Sequence, residues 1–130
     1  MTQRSPPHHR RALIVEDEIM VALDLEATMS ALGFDVCGPA PSAREARAVA
    51  MSDEPDIVLM DVNLEGGREG IEAARWLREV CGTAVVFVTS YTDEDTVERI
   101  HEQLPGAPVL SKPAHRQHLA DAVAEVNKAG

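Results

Sequence analysis

The segment DIVLMD, residues 56–61, is a run of apolar residues that ends in an aspartate. Its apolar residues follow one another without the alternation that a strand with one exposed face shows. Such a run is typical of a strand covered on both faces in a parallel sheet. The segment therefore predicts a central strand, and it places the carboxylate of Asp61 at the carboxyl end of that strand.

The sequence on both sides of this segment alternates short apolar runs with stretches of helical periodicity. The other predicted strands are residues 11–15, 34–38, 84–88 and 108–110, and a helical segment follows each strand. This alternation predicts an α/β fold, a doubly wound parallel sheet with helices on both faces. Such sheets bind ligands at the carboxyl ends of their strands, where the strand order reverses.

Length and charge limit the function classes. We expect one domain at residues 11–130, after a flexible N-terminal tail of residues 1–10. The 22 Asp and Glu outnumber the 12 Lys and Arg, and the formal charge of −10 disfavours contact with nucleic acids and with anionic membranes. Because the chain lacks both an apolar run of about 20 residues and the apolar region of a signal peptide, we expect it in the cytoplasm.

Polar residues follow four of the predicted strands. Glu16 and Asp17 come after the first strand, Asp61 after the third, Thr89 after the fourth and Lys112 after the fifth. If the strand order is 2-1-3-4-5, these side chains converge at one edge of the sheet. Three carboxylates and one ammonium leave a charge of −2, which a hard divalent cation would neutralise. With oxygen ligands alone, Mg²⁺ is the first choice and Mn²⁺ a substitute.

This set of groups suits phosphoryl transfer. Mg²⁺ usually takes one or two carboxylates together with phosphate oxygens. Asp61 is the best candidate for the nucleophile, because it alone ends the central strand. Thr89 can donate a hydrogen bond to a phosphoryl oxygen, and Lys112 can pair with the phosphate as a point charge.

Four separated motifs, in this order, resemble the receiver domain of bacterial two-component response regulators. They are LIVEDE, DIVLMDVNL, FVTS and SKP, and the resemblance extends from residue 11 to about residue 128. It implies a flavodoxin-like (βα)5 fold with strand order 2-1-3-4-5. It also implies a phosphoprotein that acts in signal transduction.

The resemblance further implies roles for individual residues. Asp61 would be phosphorylated by a sensor histidine kinase or a histidine phosphotransfer protein, which gives an aspartyl phosphate. Glu16, Asp17, Asp61 and the backbone carbonyl of Asn63 would hold Mg²⁺ as the cofactor. Thr89 would move towards the phosphoryl group.

The sequence also departs from the family pattern. Many receivers carry an aromatic switch residue three positions before the Lys, where this chain has Val109. We expect Tyr91, two residues after Thr89, to replace it. The common Phe after Lys-Pro is Ala114 here, and the resemblance implies a cis peptide bond at Lys112–Pro113.

The leading hypothesis is a single-domain response regulator that switches protein–protein contacts in a phosphorelay. It would catalyse its own phosphorylation and dephosphorylation without being an enzyme for another substrate, and it would be a monomer or weak homodimer with a downstream protein target. The alternative is a Mg²⁺-dependent aspartyl-phosphate phosphatase or phosphotransferase of the haloacid-dehalogenase type. Those enzymes place the nucleophile after the first strand and usually need a cap. A receiver that binds partners without phosphorylation is a third, weaker alternative.

Overall fold

The structure is a computed structural model. It describes the backbone of residues 10–64 and 69–129, and the side chains of residues 10–64 and 69–126. Residues 1–9 of the predicted N-terminal tail lie outside the described residues. None of the helices in the described part of the chain is both long and apolar enough to cross a bilayer.

Five strands and five helices alternate along the described chain, as predicted. The strands are β1 (Arg11–Val15), β2 (Asp35–Ala40), β3 (Ile57–Met60), β4 (Ala84–Thr89) and β5 (Val109–Ser111). The helices are α1 (Ile19–Ala31), α2 (Ala43–Asp53), α3 (Gly70–Cys81), α4 (Glu94–Gln103) and α5 (Arg116–Ala129). All strand pairs are parallel in the order β2-β1-β3-β4-β5, which confirms the predicted doubly wound α/β fold.

Strand β3 shows why the unbroken apolar run indicates a central strand. Val58 and Met60 pack into one core cluster with residues of α2, α3 and α4. Ile57 and Leu59 pack on the opposite face of the sheet with residues of α1 and α5. Because successive side chains of a strand point to opposite faces, a strand covered on both faces has no position for an exposed polar residue.

Four strands differ from their predicted bounds. Strand β3 begins one residue later than predicted, and β4 ends one residue later. Strand β2 begins one residue later and extends two residues further, through a cis peptide bond at Gly38–Pro39 and a bulge opposite β1. The backbone N–H of Glu16 donates to the carbonyl of Ala40 at 2.9 Å, which continues the contact beyond the bulge. Strand β5 begins at Val109 rather than at Pro108, because a proline has no N–H to donate to the sheet.

Side chains cap the first turns of α2 and α4. Ser42 Oγ accepts a hydrogen bond from the N–H of Glu45 at 3.2 Å at the start of α2. At the start of α4, the side chain of Asp93 accepts a hydrogen bond from the N–H of Thr96 at 3.1 Å. These caps satisfy backbone donors that the first helical turn leaves without a partner.

Gly70 allows α3 to begin directly against the backbone that follows β3. Its N–H donates to the carbonyl of Val62 at 3.0 Å. A Cβ atom at this position would collide with the carbonyl oxygens of Asp61 and Val62, which are backbone atoms. Because glycine has no side chain, the start of α3 can lie this close to Asp61.

We predict that Gly70→Ala lowers the free energy of unfolding by roughly 3 kcal/mol, because the methyl group must displace the backbone around Asp61. Gly82→Ala is the matched control. Gly82 has a φ of +70°, but its Cβ would meet no heavy atom within 4 Å among the described residues. Backbone strain alone should therefore cost about 1 kcal/mol there. Urea unfolding measures both values, and equal losses would contradict the steric argument.

Candidate functional site

The carboxylates predicted to converge do lie together at the carboxyl edge of the sheet. Glu16 and Asp17 follow β1, and Asp61 follows β3, its neighbour in the sheet. One carboxylate oxygen from each of the three residues lies within 4.8 Å of the other two. The strand order reverses at this point, since β1 has β2 on one side and β3 on the other. The cluster therefore occupies the usual ligand position of a doubly wound sheet.

The ammonium of Lys112 lies inside this acidic cluster. Its Nζ atom is 2.8 Å from Glu16 Oε1 and 2.8 Å from Asp61 Oδ2. It is also 3.2 Å from Oε1 of Glu18, a residue that the sequence analysis did not select. The backbone N–H of Lys112 donates to the carbonyl of Thr89 at 3.0 Å. This hydrogen bond holds the backbone of Lys112 beside the end of β4.

Burial and charge shift the proton affinities of this cluster. Burial raises the pKa of the Glu16 carboxyl, although the hydrogen bonds from Lys112 and from the N–H of Glu18 act in the opposite direction. Burial alone would lower the pKa of the Lys112 ammonium. The hydrogen bonds and negative charges of Asp61 and Glu16 outweigh this effect and raise that pKa above its ordinary value. Lys112 is therefore a permanent positive charge at neutral pH.

The donor set fits Mg²⁺. Glu16, Asp17 and Asp61 offer only carboxylate oxygens, the ligands that hard cations prefer. Asp17 is exposed, so a cation beside it would keep part of its water shell, as Mg²⁺ usually does. Asn63 lines the same cleft, and its side-chain oxygen is buried with no hydrogen-bond partner among the described residues.

A cleft of about 250 Å³ opens over Asp61. Its lining residues are all polar or aromatic: Asp17, Glu18, Asp61, Asn63, Ser90, Tyr91 and Lys112. The backbone N–H of Asn63 lies 3.4 Å from Asp61 Oδ1, a long hydrogen bond. The cleft can therefore receive a small polar group, and it presents Asp61 to that group beside a buried positive charge.

Thr89 is completely buried at the end of β4, and the cleft is lined instead by the next two residues, Ser90 and Tyr91. The Oγ1 atom of Thr89 accepts a hydrogen bond from the backbone N–H of Tyr91 at 3.1 Å. A hydroxyl that accepts through a lone pair keeps its own proton to donate. Thr89 is thus next to the site but directed into the loop that leads to α4.

The sequence analysis connected three residues with departures from the family pattern, and the structure shows where each of them lies. Tyr91 is 45% exposed at the rim of the cleft. Val109 is half-buried against the core cluster that contains α4. Ala114 packs against the opposite cluster, with α1 and α5, and follows a cis peptide bond at Lys112–Pro113.

Sequence reasoning missed Glu18 and Ser90. Glu18 occupies the N-cap position of α1, and its backbone N–H donates to Glu16 Oε2 at 3.0 Å. The available signal was that the acidic run after β1 continues one residue beyond the predicted pair, as Glu16-Asp17-Glu18. An acidic residue there is also what a helix start favours, so the pattern alone did not indicate a contact with Lys112.

Comparison with known proteins agrees with this geometry. The family model of the response regulator receiver domain matches residues 12–124. The transcriptional regulatory protein PdtaR of Mycobacterium tuberculosis is 34% identical over 93 residues, which are 72% of this chain and 45% of that protein. The phyllosphere-induced regulator PhyR of Methylorubrum extorquens is 38% identical over 82 residues, which are 62% of this chain and 31% of that protein.

A solved structure shares the fold at similar identity. The signal receiver domain of a modulated diguanylate cyclase from Desulfovibrio desulfuricans is 32% identical, with a TM-score of 0.82 over 92% of this chain and 95% of that one. The chain spans less than half the length of the two regulators it matches, and in both cases the match includes more than half of this chain. With the family model covering nearly the whole sequence, the chain belongs to the response regulator receiver domain family.

Proposed function

We propose that Asp61 accepts a phosphoryl group from the phosphohistidine of a sensor histidine kinase or a histidine phosphotransfer protein. The observation that carries this proposal is the position of the Lys112 ammonium. Its Nζ atom lies 2.8 Å from a carboxylate oxygen of Asp61 and 2.8 Å from one of Glu16, and Asp17 supplies a third carboxylate beside them. A cluster with this charge is suited to a cation and a phosphoryl group together. The acyl phosphate would then change the contacts of this chain with other proteins in a phosphorelay.

The reaction uses the Asp61 carboxylate, the phosphohistidine of the donor, and solvent as the source of a proton and of a water molecule. A carboxylate oxygen of Asp61 attacks phosphorus and forms a P–O bond as the P–N bond to the donor imidazole breaks. The imidazole keeps the electron pair of that bond and takes up a proton from solvent. Water later attacks phosphorus and releases inorganic phosphate, which restores the carboxylate. The chain is thus a phospho-acceptor switch that promotes both steps on itself.

A bound metal ion and two residues would assist the transfer. Mg²⁺, when bound at Glu16, Asp17, Asp61 and the backbone carbonyl of Asn63, offsets the negative charge of the phosphoryl oxygens. Lys112 pairs with one phosphoryl oxygen, for which it is already in place beside Asp61. The Thr89 hydroxyl donates a hydrogen bond to another phosphoryl oxygen after its side chain turns towards the cleft.

Rotation of the Thr89 side chain would connect the phosphoryl group to the surface of the protein. The N–H of Tyr91 is bonded to Thr89 Oγ1, so movement of this hydroxyl either breaks that bond or moves the Tyr91 backbone. Tyr91 is exposed at the rim of the cleft, and its ring would change position as the loop follows. Tyr91 then replaces the aromatic switch residue that is absent at Val109.

The remaining functional assignments rest on the family and on surface charge. We infer a domain of residues 11–130, located in the cytoplasm, monomeric or weakly dimeric, with a protein as its downstream target. The exposed acidic side of α4, with Glu94, Asp95 and Glu98, suits reversible contact with such a target and does not suit nucleic acid. The phosphatase alternative has no support, because the candidate nucleophile follows β3 rather than β1.

We predict that the wild-type protein gains one phosphoryl group when it is incubated with Mg²⁺ and phosphoramidate, and that Asp61→Asn gains none. An amide oxygen at this position lacks the charge of the nucleophile. Intact mass spectrometry measures the gain. A phosphoryl group on the Asp61→Asn protein, or turnover of unrelated phosphate esters, would contradict the proposed function.

We predict that Mg²⁺ stabilises the wild-type fold. At about one hundred times its dissociation constant, it should add about 2.7 kcal/mol to the free energy of unfolding, measured with urea. Asp17→Asn, which removes an exposed ligand, should lose most of this increase. Asp24→Asn is a control of equal charge change on α1 and should keep it. An equal increase in the Asp17→Asn and wild-type proteins would rule out this metal site.

We predict that Tyr91→Ala is phosphorylated normally but fails to transmit the change to α4. Amide chemical shifts of α4 should change on phosphorylation in the wild type, and these changes should shrink by roughly half or more in the Tyr91→Ala protein. Tyr91→Phe tests the ring without its hydroxyl. If Tyr91→Ala and Tyr91→Phe both retain the full shift changes and phosphorylation-dependent partner binding, Tyr91 is not the switch.

A further inference from the structure

An arginine and a tryptophan pack against each other at the junction of α2 and α3. The guanidinium carbon of Arg47 in α2 lies 5.8 Å from the centroid of the Trp76 ring in α3. Both residues are half-buried, and Trp76 is the only tryptophan of the chain. A cation over an aromatic face is attracted to the ring, so this contact holds the guanidinium in a defined place.

Two exposed apolar side chains lie one helical turn beyond this pair. Met51 follows Arg47 by four residues in α2, and Val80 follows Trp76 by four residues in α3. The two helices run in the same direction on one face of the sheet, because each connects the end of one parallel strand to the start of the next. Residues four apart share a helix face, and Met51 and Val80 are 65% and 61% exposed. We refer to Arg47, Met51, Trp76 and Val80 as the α2–α3 patch.

The guanidinium of Arg47 has no acceptor of its own. No described residue accepts a hydrogen bond from it or forms an ion pair with it, and its Nε atom is buried without a partner. Arg44, one turn before Arg47, adds a second positive charge, and Glu72, one turn before Trp76, adds one negative charge. A positively charged site that contains an unpaired guanidinium is suited to a carboxylate, with which a guanidinium forms two parallel hydrogen bonds.

We propose that the α2–α3 patch docks an acidic segment of a partner protein. A carboxylate of that segment pairs with Arg47, and a neighbouring apolar side chain covers Met51, Trp76 and Val80. Arginine and tryptophan often carry much of the binding energy of protein interfaces. Inorganic phosphate would pair with the guanidinium but leave the apolar side chains exposed, whereas a protein segment covers both.

Two features of the patch separate this proposal from others. A symmetric dimer through the patch would bring the arginines of both copies into one interface, which disfavours a second copy of the chain as the occupant. The patch also shares no residue with the cleft over Asp61. Docking is therefore independent of the proposed phosphorylation, and the failure of one proposal would leave the other standing.

The fluorescence of Trp76 tests the proposal, because no other tryptophan contributes to the signal. The probe is a synthetic peptide in which Asp and Glu alternate with Leu, titrated into the full chain at physiological salt. We expect a saturable change in Trp76 emission. A peptide with Asn and Gln in place of the acids, and a peptide with Ser in place of Leu, should each bind about ten-fold more weakly, because each satisfies only one part of the patch.

Variants of the protein locate the binding site. Arg47→Gln should weaken binding of the acidic peptide about ten-fold. Arg99→Gln is the matched control, because it removes an equal charge from an exposed position on α4 and should match the wild type. Met51→Ser should also weaken binding, by about three-fold or more. Because Met51 is exposed, this variant keeps the proposal testable if Arg47→Gln does not fold, which circular dichroism measures.

Other results would overturn the proposal. Equal losses in the Arg47→Gln and Arg99→Gln proteins would indicate general charge attraction. Equal binding of the acidic and amide peptides, or no saturable change in emission, would exclude a carboxylate ligand at Arg47. A dimer of the wild type in sedimentation velocity that is lost in the Met51→Ser protein would identify a second copy as the occupant instead.

Discussion

The contact on which the site depends is the pairing of one buried ammonium with two buried carboxylates. Glu16 and Asp61 are both buried and would repel each other, and the positive charge of Lys112 makes their proximity possible. Breaking such a pair by removing one partner costs about 3–5 kcal/mol, because the remaining charge stays buried. This cost keeps Lys112 directed into the cluster, at the position where the proposed phosphoryl group on Asp61 would need a positive charge.

The fold supplies this contact through strand order. Asp61 and Lys112 are 51 residues apart in the chain, yet they meet because β3, β4 and β5 are neighbours whose carboxyl ends share one edge. The position of that edge is fixed by a sheet that is buried on both faces, so its strands have little freedom to shift register. Gly70 adds a local constraint, since α3 begins against the carbonyl of Asp61 itself.

The sequence was informative where one physical requirement dominates. An unbroken apolar run has few alternatives to a buried strand, and a polar residue directly after such a run must lie at the sheet edge, which is why Asp61 and Lys112 were predictable. Glu18 was not, because an acid at a helix start already has a sufficient local reason. The end of β2 was missed because a Gly-Pro pair usually marks a turn, whereas here the strand continues through it to Ala40. The hydrogen bond from the Tyr91 N–H to the buried Thr89 hydroxyl was also not predictable, because it depends on the local path of the backbone after β4.

Two separate chains of contacts lead from Lys112, the partner of Asp61, to opposite faces of the sheet. One passes from Thr89 to Tyr91 and on to α4, whose buried residue Ile100 belongs to the core cluster shared with α2 and α3. The other passes from Lys112 to Glu18 and on to α1, which packs in the cluster shared with α5. Because the two clusters lie on different sides of the sheet, a change in one connection does not require repacking in the other. The proposed switch at Tyr91 would therefore act on the side of the sheet that carries α4 without repacking α1 and α5 on the other side.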